Sequence, residues 1–258
     1  MIIKFYKYHG AGNDFIIVDD RLPNHSFSKN KIKEICDRKT GVGSDGFILL
    51  RNHEKYDFEM IYYNSDGKIS SMCGNGGRCI VHFAYYLKII KKYTIFLAVD
   101  GPHEAKIIKN TIVILKMNNV DEIIKCKDYT FIDSGSPHHI IEKSKINLID
   151  VRLIGSKIRN SQSYSPNGVN VNFIKKISSE EFIIRTYERG VEDETLSCGS
   201  GAVASAIAMH NRGRTSNNKI KIKTLGGDLI ICFTFNKTYS DVTLEGPVKQ
   251  VFKGEIDF

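Results

Sequence analysis

Two short stretches of the sequence place a cysteine directly before a glycine-rich turn. The first reads SMCGNGGRC over residues 71–79 and the second reads LSCGSGAVA over residues 196–204, so Cys73 and Cys198 lie 125 positions apart. At the start of a helix, unpaired backbone N–H groups and the positive end of the helix dipole stabilise a thiolate. The glycines allow the chain to bend so that several amides point outward and can bind a carboxylate. Each turn could therefore supply a base and an anion site together.

A pair of such thiols suits one class of reaction. A single cysteine in such a turn is more often a buried structural thiol. The presence of two such turns in one chain favours a catalytic role over a structural one. If two similar domains face a common cleft, one thiolate can remove a proton from an α-carbon and the opposite thiol can return one to the other face. The turn amides would stabilise the charge that develops on the α-carboxylate. The pair therefore indicates racemisation or epimerisation.

The elements that must position the two turns occur twice along the chain. Further landmarks share the offset of 125 residues: Gly10 with Gly135, Asn13 with His138, and Tyr63-Asn64 with Glu188-Arg189. Several landmarks in one order and one register indicate an internal duplication. We predict two halves, residues 1–118 and 119–258, and the final strand could pack on the first half.

The pattern within each half predicts strands and one central helix. β-Branched runs such as FIIVDD, GFILL and FEMIYY are broken by glycine and Asn-Asp turns. A longer apolar stretch follows each cysteine turn, GRCIVHFAYYLKII in the first half and GAVASAIAMHNRG in the second. Both stretches are too long and too periodic for strands. The predicted fold is α+β, with two pseudo-symmetric domains that are each a rolled or barrel-like sheet around a central helix.

Composition excludes several other classes of protein. The 258 residues are 41% hydrophobic and 26% charged, and the apolar runs are too short to span a bilayer. The N-terminus has no apolar segment typical of a signal peptide, so we expect a cytoplasmic protein without a membrane partner. The net charge of +8 comes from scattered lysines, which does not favour nucleic-acid binding. Six cysteines without a CxxC pair favour neither a disulfide scaffold nor a metal site.

Seven motifs in a fixed order point to a known family. GAGNDF, YNSDG, CGNGGRC, GSPH, GVNVNF, YERGVEDETLSCGSGA and a late EGP follow one another along the whole chain. In this order they resemble the diaminopimelate epimerases, which are amino-acid epimerases of lysine and cell-wall biosynthesis. The resemblance implies conversion of LL-2,6-diaminopimelate to meso-diaminopimelate without pyridoxal phosphate, metal or any other cofactor. It also implies a homodimer, which is the family's habit.

The resemblance implies roles for individual residues. Cys73 and Cys198 would be the two acid/base thiols. The family's amides that bind the α-carboxylate correspond to those of Gly74, Asn75, Gly199 and Ser200. Side chains expected to contact the substrate are those of Asn13, Asn64, Asn170, Glu188 and Arg189. Among these, Glu188 suits an ammonium group and Arg189 a planar carboxylate, whereas His138 and Glu188 would bias the pKa values of the thiols.

Two departures from the family pattern and two alternative functions remain. Gly46 stands in GVGSDG where the family often has Gln, and Ser136 stands where it often has Asn.

Proline racemases and hydroxyproline epimerases share the two-domain plan, but they typically carry Cys-Gly-His where this chain has Cys73-Gly74-Asn75. A redox switch that joins Cys73 to Cys198 is the other alternative, and it would leave the polar residues of the motifs without a role.

Overall fold

The computed structural model describes residues 2–22, 26–70 and 72–257. These residues form two units, one from the chain up to Leu115 together with Gly246 onward, the other from Lys116 to Glu245. The last strand thus contributes its second part to unit 1 and its first part to unit 2. The boundary after residue 118, which divides the sequence by its internal repeat, stays a prediction.

Unit 1 contains seven strands and two helices before the chain enters unit 2. In chain order these are β1 (Ile2–Gly10), β2 (Asn13–Asp19), α1 (Lys29–Cys36), β3 (Gly46–Arg51), β4 (Glu59–Asn64), α2 (Gly74–Tyr86), β5 (Tyr93–Ala98), β6 (Gly101–Ile108) and β7 (Ile112–Lys116). β7 continues by one residue into unit 2.

Unit 2 repeats this order of elements and adds two short strands of three residues each. They are β8 (Ile123–Lys125), β9 (Thr130–Asp133), β10 (Pro137–Glu142), α3 (Val151–Arg159), β11 (Asn170–Lys176), β12 (Glu181–Glu188), β13 (Asp193–Thr195), α4 (Gly199–Asn211), β14 (Lys219–Thr224), β15 (Gly227–Asn236) and β16 (Thr238–Asp257). Short 3-10 turns lie at Ile146–Leu148 and Gln162–Tyr164.

The strands of unit 1 close into a barrel of eight. The sheet runs in sequence order from β1 to β7, and the second part of β16 lies between β7 and β1. β1 pairs with β16 antiparallel from Ile2 opposite Asp257 to Gly10 opposite Val248. Two pairings within the barrel are parallel, β2 with β3 and β4 with β5, and helices α1 and α2 make the two crossovers. Closure leaves the barrel without an unpaired sheet edge.

The sheet of unit 2 follows the same pairing scheme. β10 pairs parallel with β11 across helix α3, and β12 pairs parallel with β14 across helix α4. An isolated bridge between Val120, just before β8, and Tyr239 of β16 brings the two ends of this sheet together. The predicted α+β fold, with a rolled sheet around a central helix in each half, is therefore confirmed.

The central helices are α2 and α4, the two that follow the cysteine turns. Most residues of both are buried, including the whole run from Gly74 to Val81 and from Gly201 to Met209. α4 is apolar on nearly every side, as expected for a helix enclosed by a sheet. Each helix begins directly after its cysteine and ends at Tyr86 or Asn211, earlier at both ends than the apolar stretches predicted.

The two crossover helices, α1 and α3, were not predicted from the sequence. Each has an ordinary N-cap: the side chain of Ser28 accepts a hydrogen bond from the Lys31 amide, and that of Asp150 accepts one from the Leu153 amide. Such caps are recognisable in a sequence, but both helices are short and rich in lysine and other polar residues. Among the described residues, no helix is long and apolar enough to cross a membrane.

Helix α3 packs closely on strand β12, and this contact generates a prediction. A Cβ atom added at Gly155 would lie 2.4 Å from Cβ of Tyr187, so Gly155→Ala must push α3 away from the strand that carries Glu188. Overpacking typically costs about 1–3 kcal/mol, which outweighs the gain of up to about 1 kcal/mol in helix propensity. We expect urea titration to show a lower unfolding free energy for Gly155→Ala. Lys157→Ala, an exposed position on the same helix, is the control and should be close to neutral; equal stability of both variants would contradict this packing.

Candidate active site

In each unit a cysteine occupies the N-cap of the central helix. Cys73 has φ −96° and ψ 123°, and Cys198 has φ −125° and ψ 114°, both extended conformations. The Gly77 amide donates to the Cys73 carbonyl at 2.7 Å, and the Ala202 amide donates to the Cys198 carbonyl at 3.0 Å, which closes the first turn of each helix. The amides before these donors, in residues 74–76 and 199–201, have no acceptor within an α-helix. They are the groups that bind anions at helix starts.

The caps of these two helices differ from those of the crossover helices. Ser28 and Asp150 each accept a hydrogen bond from an amide of their own helix. Within the described part of the chain, the side chains of Cys73 and Cys198 make no such cap hydrogen bond. A serine or aspartate at these positions would bind the amides that an incoming carboxylate needs, and a cysteine does not.

Cys73 lies beside two asparagines in unit 1. Its Sγ donates to Oδ1 of Asn13 at 3.6 Å, and Nδ2 of Asn75 donates to the same Oδ1 at 3.1 Å. Nδ2 of Asn13 donates in turn to Oδ2 of Asp45 at 2.8 Å. The carboxylate fixes the orientation of the Asn13 amide, because a carboxylate can only accept. The predicted residues Cys73, Asn13 and Asn75 are thus in direct contact.

Arg78 is a buried arginine one turn into helix α2. Its Nη2 donates to Oδ1 of Asn75 at 2.8 Å and its Nη1 donates to the Gly74 carbonyl at 3.1 Å. The side chain is fully buried, and burial lowers its pKa to about 10, so it stays cationic at neutral pH. Arg78 orients Asn75 from behind and adds a positive charge under the turn that carries Cys73.

Cys198 lies beside a hydroxyl and an imidazole in unit 2. Its Sγ is 3.6 Å from Oγ of Ser200, and that Oγ is 3.0 Å from Nε2 of His138. The backbone carbonyl of Ser200 accepts from the hydroxyl of Ser134 at 3.0 Å, which holds the turn in place. His138 is fully buried, and burial, followed by the charge of Arg189, lowers its pKa to about 3. His138 is therefore neutral at physiological pH.

Asn170 connects two of the predicted motifs. Its Nδ2 donates to Oγ of Ser136 at 2.8 Å and to the Pro137 carbonyl at 3.1 Å, while its Oδ1 accepts from the Arg189 amide at 2.9 Å. The amide of Asn170 therefore positions the GSPH segment and the end of β12. Ser136 contacts Asn170, so the hydroxyl that replaces the family's usual Asn retains a hydrogen bond.

The remaining predicted side chains lie at strand ends. Glu188 is the last residue of β12, and its Oε2 accepts from the Thr195 hydroxyl at 2.9 Å. Arg189 follows it, and its Nη1 donates to the Asn167 carbonyl at 3.3 Å. Asn64 ends β4 directly opposite Gly46 of β3. All three are partly exposed.

The ring of Tyr62 occupies the space next to Gly46. A Cβ atom at Gly46 would lie 2.5 Å from Cε2 and 3.0 Å from the hydroxyl oxygen of Tyr62, and 2.9 Å from the Tyr63 carbonyl oxygen. No larger residue fits there without displacing β4. Tyr62 lies two residues before Asn64 on the same strand and therefore shares its face of the sheet. The departure at Gly46 is thus paired with an aromatic residue on the neighbouring strand.

Four residues that support the two sites were not predicted from the sequence. Asp45 and Arg78 orient the amides near Cys73. Asn172 contacts His138, and Thr186 in turn contacts Asn172. Asn172 had a usable signal, because it lies two residues after Asn170 on a strand and so shares its face. Among the described residues, no group of three or more His, Cys, Asp or Glu side chains could hold a metal ion.

The buried, neutral His138 predicts a pH dependence of stability. Its folded pKa lies below 6.5, the value of an unfolded His, so the stability it contributes is present above pH 6.5 and is lost as pH falls towards 3. Between pH 7 and pH 5 the native protein should lose about 2 kcal/mol more unfolding free energy than His138→Gln. Urea titrations at both pH values measure this difference. His139, whose pKa burial lowers to about 4, titrates in both proteins and cancels; equal losses would contradict a neutral His138.

Comparison with protein families and curated proteins gives a consistent result. The family model described as diaminopimelate epimerase matches residues 5–120 and 130–250. A diaminopimelate epimerase of Flavobacterium psychrophilum is 49% identical over 258 residues, covering 98% of this chain and 100% of that protein. The corresponding protein of Chlorobaculum tepidum is 37% identical, covering 96% of this chain and 98% of its own length.

Solved structures share the fold at much lower sequence identity. A phenazine biosynthesis protein of the PhzF family from Bacillus anthracis superposes with a TM-score of 0.78 at 12% identity, covering 100% of both chains. A probable proline racemase from Agrobacterium radiobacter has a TM-score of 0.71 at 14% identity and covers 99% of this chain and 93% of its own. These likenesses concern the fold alone. The match of the family model along both halves and the 49% identity to a curated relative show that the chain belongs to the diaminopimelate epimerase family.

Proposed function

We propose that the protein converts LL-2,6-diaminopimelate to meso-diaminopimelate by acid/base catalysis at two thiols, as a step of lysine and cell-wall precursor biosynthesis. Cys73 and Cys198 are the proposed catalytic groups. The observation that supports this role is their shared position: each is the N-cap of the buried central helix of its unit. Both units carry a cysteine at a place where ordinary helices carry Ser, Thr, Asp or Asn.

The proposed reaction moves two protons and needs no other reagent. One cysteine, as the thiolate, takes the α-proton and becomes a thiol, while the electron pair of the broken C–H bond delocalises into the α-carboxylate. The other cysteine, as the thiol, donates its proton to the opposite face of the same carbon and becomes a thiolate. The configuration inverts because the two thiols approach from opposite faces. Amides of Gly74, Asn75, Gly199 and Ser200 stabilise the charge on the carboxylate.

The substrate's distant amino acid centre gives the proposed selectivity. The guanidinium of Arg189 can bind a carboxylate through two parallel hydrogen bonds, and the carboxylate of Glu188 can bind an ammonium group. Asn13, Asn64 and Asn170 supply neutral amides at the same motifs. A substrate without a second amino and carboxylate end, such as proline, would leave these groups without a partner and should be inert.

The cellular setting follows the family. We propose a cytoplasmic homodimer that needs neither pyridoxal phosphate nor a metal, because two thiols and the helix amides already supply base, acid and charge stabilisation.

The decisive experiment is incubation with LL-diaminopimelate in D2O, with a chelator and hydroxylamine present to remove metals and carbonyl cofactors. Formation of the meso isomer with deuterium at the inverted α-carbon supports the proposal. Absence of both isomerisation and exchange would contradict it and favour a redox role for the thiols.

Replacing each thiol separately tests the two-base mechanism. Serine is close to cysteine in size but is a far weaker acid, so Cys73→Ser and Cys198→Ser should each lose at least about 100-fold in kcat. The double variant should be hardly worse than either single one, because the residues act as a unit. Cys232→Ser, a half-buried thiol of β15, is the control and should keep native kinetics.

A substrate analogue with a β-leaving group separates the two thiols. Elimination from this analogue needs one base to form the carbanion and no second proton donor. Each single variant should therefore eliminate from one stereoisomer and the two variants should prefer opposite ones. The same stereochemical preference in both variants would contradict a role for the thiols on opposite faces.

Arg189→Lys tests the proposed selectivity. A lysine keeps the positive charge but replaces a planar fork with a single point donor, so we expect kcat/KM for diaminopimelate to fall roughly 10-fold or more. Steady-state kinetics measure the effect. Arg214→Lys, at an exposed arginine of the same unit that pairs with Glu142, should leave kcat/KM unchanged; native kinetics in Arg189→Lys would remove this residue from the substrate site.

A further inference from the structure

A chain of hydrogen bonds extends from Cys198 into the interior of unit 2. Sγ of Cys198 is 3.6 Å from Oγ of Ser200, which is 3.0 Å from Nε2 of His138. Nδ1 of His138 is 2.9 Å from Nδ2 of Asn172, and Oδ1 of Asn172 accepts from the Thr186 hydroxyl at 2.9 Å. These five residues form what we term the Cys198 relay. All four contacts lie within one unit of the structure.

Three adjacent strands hold the inner members of the relay. β10 pairs with β11 so that His138 lies opposite Asn170, which places Asn172 two residues further along the same face. β11 pairs with β12 so that Asn172 lies directly opposite Thr186. His138 and Asn172 are fully buried and Thr186 is 2% exposed. Positions on paired strands are more rigid than positions on loops, so the relay has a defined geometry.

The hydrogen-bond donors of the relay have one consistent direction. Because the Thr186 hydroxyl donates to Oδ1 of Asn172, the amide presents its Nδ2–H group to Nδ1 of His138, which must accept. A neutral imidazole carries one proton, and that proton is then on Nε2. Nε2–H donates to Oγ of Ser200, so the hydrogen of the Ser200 hydroxyl can point to the sulfur of Cys198.

We propose that Thr186 and Asn172 are positioning residues that fix the proton of His138 on Nε2 and thereby make Ser200 a hydrogen-bond donor to Cys198. A donor at this place stabilises the thiolate form of Cys198 over the thiol, because hydrogen bonds to the charged form favour it. The catalytic meaning of this preference rests on the proposed function. The hydrogen-bond direction itself is a property of the folded protein without substrate.

Charged groups also occur on β12, β14 and β15 of the same unit. Arg189 follows β12, and its charge helps to keep His138 neutral. Glu188 on the same strand accepts from Thr195. On β14 and β15, Lys221 pairs with Asp228, and Lys223 pairs with Glu181 of β12. The Ser200 hydroxyl joins the relay to the sulfur, so any effect of Thr186 and Asn172 on Cys198 through the relay passes through this hydroxyl.

The test reads the ionisation of Cys198 and the tautomer of His138 separately. Rates of iodoacetamide alkylation, followed at the Cys198 peptide by mass spectrometry from pH 5 to pH 10, give a midpoint for this thiol. The midpoint depends on thiolate formation and not on accessibility, which changes only the limiting rate. Long-range proton–nitrogen NMR spectra of the full-length protein identify which nitrogen of His138 carries the proton. Neither measurement needs substrate.

Four variants separate positioning from simple structural support. Ser200→Ala removes the donor and should raise the alkylation midpoint of Cys198 by about one pH unit or more, because a hydrogen bond to the thiolate favours the charged form. Thr186→Val frees the Asn172 amide to turn, so it should raise the midpoint by less and move part of the His138 proton to Nδ1. Thr186→Ser restores the hydroxyl and should restore both native values.

The fourth variant is the matched control. Ser205→Ala removes another hydroxyl from helix α4, a buried one whose Oγ has no hydrogen-bond partner among the described residues, and should leave the midpoint unchanged. An unmoved midpoint in Ser200→Ala would overturn the donor role of Ser200. A native tautomer in Thr186→Val would overturn the positioning role of Thr186. If the native protein does not epimerise diaminopimelate in D2O, the proposed function is contradicted, but the inferred hydrogen-bond direction of the relay is not.

Discussion

The structure depends on the competition for the first amides of two buried helices. An α-helix leaves its first N–H groups without internal acceptors, and an isolated buried N–H group is costly. Helices α1 and α3 meet this cost with Ser28 and Asp150 as caps, which is worth about 1 kcal/mol each. Helices α2 and α4 begin with Cys73 and Cys198 instead, so their amides remain suited to a carboxylate. The central helices thus trade some stability for a site beside a thiol.

Enclosing these helices in rolled sheets makes that arrangement rigid. In unit 1 a closed barrel surrounds α2, and in unit 2 the strands from β8 to β16 curl around α4. The polar side chains near each sulfur come from strands of the same sheet or from the helix itself. Asn13 begins β2 and His138 belongs to β10, the corresponding strand of the other unit. Small changes in the sheet would therefore move the polar groups relative to the sulfur, which is why close contacts such as that of Gly155 with Tyr187 matter.

Sequence patterns could predict the backbone of the sites better than their side-chain contacts. The 125-residue offset places both cysteine turns correctly, and helices α2 and α4 begin at equivalent positions, Gly74 and Gly199. The hydrophobic periodicity could not give the exact helix starts. The glycines after each cysteine have poor helix propensity, yet they form the first turn of the helix. Arg78 and Thr186 are ordinary residues in sequence, and their roles depend on burial and on which strand lies opposite. The sequence also could not show that Tyr62 fills the space beside Gly46, because Tyr62 belongs to a different strand.

The two units have kept the same backbone at the cysteine while changing the groups around it. Cys73 faces the carbonyl oxygen of the Asn13 amide, an acceptor fixed by Asp45 and Asn75, so the thiol form satisfies this contact. Cys198 faces the hydroxyl of Ser200, which can donate as well as accept. A reaction that needs one thiol and one thiolate at the same moment gains from such a difference, because two identical surroundings would favour the same protonation state at both sulfurs. The two cysteines thus occupy equivalent backbone positions in chemically unequal surroundings.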